Sequence, residues 1–149
     1  MRDNLVLISA PIVYKDQTNG RRWLITKQDE DANWEIPKVV VRKVESSVRA
    51  AMRMMGEKGG MSIKVLEEAG RWGGVTSVNG KAVPQRQIYY LARLKSSQGE
   101  VIGFEEHAWL EYAKAVRKLR SKIERSMIKQ ARKELRVVLK KEKEEEESK

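Results

Sequence analysis

A chain of 149 residues is long enough for one domain with a buried core and too short for two. The absence of cysteine excludes a disulfide framework, thiolate metal sites and a cysteine nucleophile, and a single histidine, His107, excludes a histidine triad or a multi-histidine metal centre within this chain. The net charge of +10 is unevenly placed: residues 111–141 hold 12 Lys/Arg against 3 acidic residues, residues 1–110 hold 17 against 13, and residues 142–149 hold 2 against 5. A concentrated positive stripe suits phosphate backbones or acidic protein surfaces.

The apolar run Leu5 to Val13 is too short to span a bilayer, which needs about 20 residues, and reads as a buried strand of a soluble protein with no membrane partner. A cytoplasmic or organelle-matrix location follows as the expectation. Arg22 to Lys27 alternates as a second strand, and Asn19-Gly20 between the two predicts a type I′ hairpin turn. Pro37 pushes Ile36 into extended geometry. From Ser46 the period becomes helical, with Val48, Ala51, Met52 and Met55 on one side, a serine to cap the start, and Gly59-Gly60 to supply a left-handed stop.

Ile63 to Ala69 reads as a strand. Val75 to Val78, Asn79-Gly80 and Ile88 to Leu94 read as a second hairpin, and Glu100 to Phe104 as a further strand. Residues 111–141 are expected to form one helix, about 46 Å long, whose stripe runs through Tyr112, Val116, Leu119, Ile123, Met127, Ala131, Leu135 and Val138. Its second half is expected to project or meet a partner. Glu142 to Lys149 is a charge run expected to be disordered. The organisation read from the sequence is a core over 1–112, a basic amphipathic helix over 113–141 and an acidic-rich tail over 142–149.

This order of elements, the Trp34-x-x-Pro37-Lys38 lead-in and the segment from Val39 to Met61 resemble the Nudix hydrolase family. Its signature, G-x5-E-x7-R-E-U-x-E-E-x-G-U with U a bulky aliphatic residue, lies on residues 39–61 without gaps. Glu45, Arg53, Met55, Glu57, Gly60 and Met61 fit. Val39 stands where the first glycine belongs, and Met54 and Lys58 stand where two glutamates belong. The resemblance implies an α/β (α+β) fold, a Nudix-like α/β/α sandwich with a mixed sheet, here followed by a long basic C-terminal helix.

In the family, carboxylates at the positions matching 54, 57 and 58 hold magnesium or manganese against a substrate diphosphate. Positions i, i+3 and i+4 share one helix face, which suits a hard cation when all are glutamates. Met54, Glu57 and Lys58 make that face neutral. The sequence therefore favours a catalytically inactive Nudix-fold protein with no cofactor expected. The expected partner is RNA or a ribonucleoprotein, with a nucleotide ligand and a protein met through the C-terminal helix as further candidates. The resemblance implies such a role because divergent members of the family serve as RNA-binding subunits in mRNA processing and as components of mitochondrial ribosomes.

Lys38, Arg42, Lys43, Lys58, Arg86, Arg117, Lys118 and Arg125 are the candidate phosphate or nucleic-acid contacts. Trp34, Trp72, Tyr89 and Tyr90 either stack a base or belong to the core. The alternative is a magnesium- or manganese-dependent pyrophosphohydrolase of nucleoside diphosphate derivatives such as dinucleoside polyphosphates, with Glu57 and Glu45 as a reduced metal site and Arg53 as the third remnant of the box. Arg53 and Glu57, four apart, also read simply as a helix ion pair.

Overall fold

The computed structural model describes residues 5–148. The elements run β1 (Val6–Gln17), β2 (Gly20–Lys27), β3 (Val39–Val40), α1 (Ser47–Gly59), β4 (Met61–Val78), β5 (Lys81–Ser97), β6 (Glu106–Leu110), α2 (Tyr112–Lys118) and α3 (Lys122–Glu147). β1 organises the sheet, whose order is β4-β5-β1-β2-β6. One edge of β1 pairs in parallel with β5, Ser9 opposite Ile88, and its other edge takes β3 at Ile8 and Ser9 and then β2 from Tyr14 onward. The mixed sheet follows from this shared central strand.

Two apolar clusters cover the two faces. On one, Ile12, Tyr14, Trp23, Tyr89 and Leu91 meet Ala115, Leu119, Ile128, Ala131 and Leu135 from the C-terminal helices. On the other, Val13, Leu24, Ile63 and Ala92 meet Met54 and Met55 of α1. The fold is thus the expected α/β/α sandwich. α1 is seated at its start by polar contacts: Ser9 Oγ donates to the Ser47 carbonyl at 2.6 Å, and the Ser47 hydroxyl bonds the Tyr90 hydroxyl.

Several sequence expectations change in register. Thr18 and Asn19 form the first turn, with Gln17 opposite Gly20, and only Gly20 has a positive φ, 122°. The type I′ turn lies in the second hairpin, where Asn79 (φ 52°) and Gly80 (φ 78°) both take the left-handed region. Glu100 to Phe104 is not a strand; the chain bends there, and β6 begins at Glu106, antiparallel to β2. The buried face of α1 is Ala50, Ala51, Met54, Met55 and Gly59, while Met52 is exposed. Apolar residues ring most of this short helix, so its periodicity permits either face and contact with the sheet decides.

The single long helix is two. Leu119 (ψ 123°) and Ser121 (ψ 126°) are extended, and Ser121 Oγ accepts the Glu124 amide, opening a new helix. The break lets α2 pack on β2 and lets α3 turn back along β4 and β5, so the helices complete the core rather than project from it. Gly70 gives α3 its passage, since a Cβ there would meet the Met127 sulfur at 2.6 Å. Glu142 to Glu147, expected to be disordered, continue α3, because Arg93 holds Glu142 with two bonds of 2.8 and 3.1 Å and also donates to the Tyr14 hydroxyl at 2.5 Å. Lys149 lies outside the described residues.

Gly60 ends α1 at φ 60°, and a Cβ there would lie 2.3 Å from the Gln98 carbonyl oxygen. Gly60→Ala is expected to lower stability by at least about 1–3 kcal/mol, read by urea denaturation.

Candidate functional site

Residues 39–61 form a loop, helix and turn held by one clamp. Arg53 Nη2 lies 2.6 Å from Glu45 Oε1 and Arg53 Nε lies 3.0 Å from Glu45 Oε2. The Arg42 amide adds a third bond to Glu45 at 2.9 Å. These bonds, chiefly that from Arg53 and then that from Arg42, hold the Glu45 carboxyl down at about 2. Two charged residues that fit the signature thereby fasten the loop to the helix, and Glu45 has both oxygens engaged.

Glu57 is exposed and lies 3.6 Å from the same guanidinium. Met54 is 1 % exposed, packed among Val13, Leu24 and Phe104. Lys58 is half-buried: its ammonium lies 5.7 Å from the Phe104 ring, and its carbonyl accepts the amides of Ile102 and Gly103. The residues present do not fit a divalent cation. One thioether is in the core, one lysine lies over the Phe104 ring, and the two carboxylates share Arg53. Among the described residues no group of three or more His, Cys, Asp or Glu could hold a metal ion. Glu106 is paired with Lys27 at 3.4 Å, and His107 sits on exposed β6 opposite Thr26.

The expected phosphate contacts separate into three kinds. Lys38 is withdrawn from any ligand, because its ammonium donates to Glu124 Oε2 at 3.0 Å and to the Ile36 carbonyl at 2.9 Å. Glu124 Oε1 accepts the Ile36 amide, which leaves this buried carboxylate fully used. Arg125 is also committed in part, its Nη1 donating to the Leu119 and Arg120 carbonyls that end α2. Arg42, Lys43, Arg86, Arg117 and Lys118 are exposed. Arg117 and Lys118 line a shallow 350 Å³ recess with Leu110 and Lys114. Of the eight, Lys38 is thus committed within the protein, Arg125 in part, Lys58 is half-buried on α1, and the other five are exposed.

Tyr89 and Tyr90 are core residues, Trp34 packs against the core beneath Lys27, and Trp72 folds over Gly74. The polar centre that sequence reasoning missed is Lys38–Glu124. Its signal was Ser121-x-x-Glu124, a capping sequence at a helix start. Around it, burial raises the Glu35 carboxyl above the usual range against the pull of Lys38, with Glu124 adding to the rise. The Tyr89 hydroxyl is pushed up by burial and then by Glu124 and Glu35.

Solved structures share this architecture over most of both chains. An Ap4A hydrolase binary complex from C. elegans aligns with a TM-score of 0.66 at 18% identity, covering 87% of this chain and 97% of that one. A hydrolase from Nitrosomonas europaea aligns at 0.67 and 16%, covering 84% and 86%. The E. coli dihydroneopterin triphosphate pyrophosphohydrolase aligns at 0.64 and 16%, covering 83% and 92%. This chain has the Nudix fold. No protein-family model and no curated protein matches it. Within it, Glu45 and Arg53 fasten the loop to α1, and positions 54 and 58 carry a core thioether and a cation.

Two outcomes follow. Glu45 has a folded pKa below its ordinary 4.5, so its contribution is fully present above pH 4.5 and is lost as pH falls toward 2. Glu45→Gln should therefore lower the melting temperature at pH 6, with the difference from the parent shrinking between pH 4.5 and 2. Lys38→Met leaves a buried carboxylate uncompensated and should cost about 3 kcal/mol in urea, part of which returns when Glu124→Gln is added.

Proposed function

We propose that this Nudix-fold chain is a binding module that carries out no metal-dependent hydrolysis and takes RNA or a ribonucleoprotein on the basic surface of α2 and α3. The observation that carries the reading is the charge of residues 111–141. Twelve Lys/Arg face three glutamates there, and one of the three, Glu124, is buried against Lys38, so solvent sees an even larger positive excess. Cations of this kind release counterions from a phosphate backbone on binding, which gives affinity without a metal. The neutral face of Met54, Glu57 and Lys58 supports the same reading, because Lys58 opposes a divalent ion where a hydrolase needs carboxylates.

A second reading rests on the likeness to the C. elegans Ap4A hydrolase and on Trp34-x-x-Pro37-Lys38: a pyrophosphohydrolase using Glu57 with magnesium or manganese. No helix among the described residues is long and apolar enough to cross a membrane, and a cytoplasmic or matrix location remains part of the proposal.

The two readings separate in one set of assays. Bulk transfer RNA should bind the full chain equally with magnesium or with EDTA, and log K should fall linearly with log salt. Dinucleoside polyphosphates with magnesium or manganese should give no phosphate-containing product above background. Flat salt dependence, or no RNA binding, overturns the proposal. Product release abolished by Glu57→Gln establishes the second reading instead.

A further inference from the structure

The cations of α3 are not scattered around the helix. At 3.6 residues per turn, Lys122, Lys129, Arg132, Lys133, Arg136 and Lys140 fall within an arc of about 100° and extend over about 27 Å. All six are exposed. The buried line of Ile128, Ala131 and Leu135 lies away from it, and the remaining flank holds Ser126, Gln130, Glu134 and Val137 with a single cation, Lys141. The ridge borders α2: the Arg132 guanidinium lies 4.2 Å from the Tyr112 ring, and Arg125 bonds the carbonyls that end α2. α2 carries three further exposed cations, Lys114, Arg117 and Lys118, around a recess beside Leu110.

The ridge offers charge and nothing that reads a base. It has no aromatic side chain to stack on; Tyr112 is half-buried beneath Arg132, and the neighbouring amide, Gln130, donates to Glu134 at 3.1 Å. Sequence-tolerant capture of single strands relies on aromatic platforms, whereas a duplex hides its bases and presents an ordered array of phosphates. The acidic block bears on the same surface. Glu142 is fixed by Arg93, so α3 stays helical to Glu147 and carries Glu144 and Glu147 to the end of the ridge. Phosphate is repelled at that end, which confines the ligand to residues 122–141 and α2.

Resting on the RNA-binding reading above, we infer that the ligand of this ridge is the backbone of double-stranded RNA, taken without regard to sequence and limited on one side by the acidic end of α3.

The test uses the full chain with two 20-base-pair RNA duplexes of unrelated sequence and a 20-nucleotide oligouridine. The duplexes should bind within about twofold of each other, and oligouridine about tenfold or more weaker. The variant Lys129→Gln/Lys133→Gln/Arg136→Gln/Lys140→Gln should lose duplex affinity, with the slope of log K against log salt reduced by about one per removed cation. Glu144→Gln/Glu145→Gln/Glu146→Gln/Glu147→Gln should raise duplex affinity severalfold. All eight substituted side chains are exposed, and unchanged urea midpoints confirm that the variants fold. Oligouridine binding as tightly as duplex, or an unchanged slope in the lysine and arginine variant, overturns the inference and leaves RNA binding itself standing. Failure to bind any of the three RNAs overturns both.

Discussion

The buried contact between Lys38 and Glu124 joins the two halves of this molecule. Glu124 sits in the first turn of α3, 88 residues beyond Ile36, whose amide it accepts, and the Lys38 ammonium lies 3.0 Å from its other oxygen. A carboxylate in the core is tolerated only with such partners, since an unpaired buried charge is strongly destabilising. The pair therefore fixes where α3 begins relative to the strand-to-helix loop. From there the helix follows β4, passing the Met127 contact at Gly70 and reaching the Arg93–Glu142 bond before its last turn. The direction of the basic ridge is set by these three contacts.

The same pair engages the lysine of the Trp-x-x-Pro-Lys lead-in. Its ammonium is spent inside the protein. A parallel economy holds on α1, where Glu45 and Arg53 form a clamp that fastens the loop. Both residues belong to the signature and both act on architecture. On this helix the residues that fasten the loop, and Met54, Glu57 and Lys58, occupy different positions.

Much of this was legible in the residues. The registered box located α1 and its stop at Gly60, Asn79-Gly80 marked a true type I′ turn, and the apolar runs marked β1 and β2. The break at Leu119 to Ser121 was less visible, since the apolar stripe continues through it; the only local sign was Ser121-x-x-Glu124. The helical state of Glu142 to Glu147 had no local sign, as its anchor, Arg93, is 49 residues away. The burial of Met54 and exposure of Met52 were equally hidden, for both are methionines on one short helix.

By itself the sequence determined the fold class, the neutral character of the box and the location of the positive charge, because pattern, motif register and composition are local properties. Only the tertiary structure decided which of those charges are available. Lys38 and Glu124 cancel inside the core and Arg53 is committed to Glu45. The cations of α3 remain outside because its apolar side is taken by the sheet. Pairing between residues distant in sequence is a matter of three-dimensional proximity, and no spacing rule along the chain encodes it.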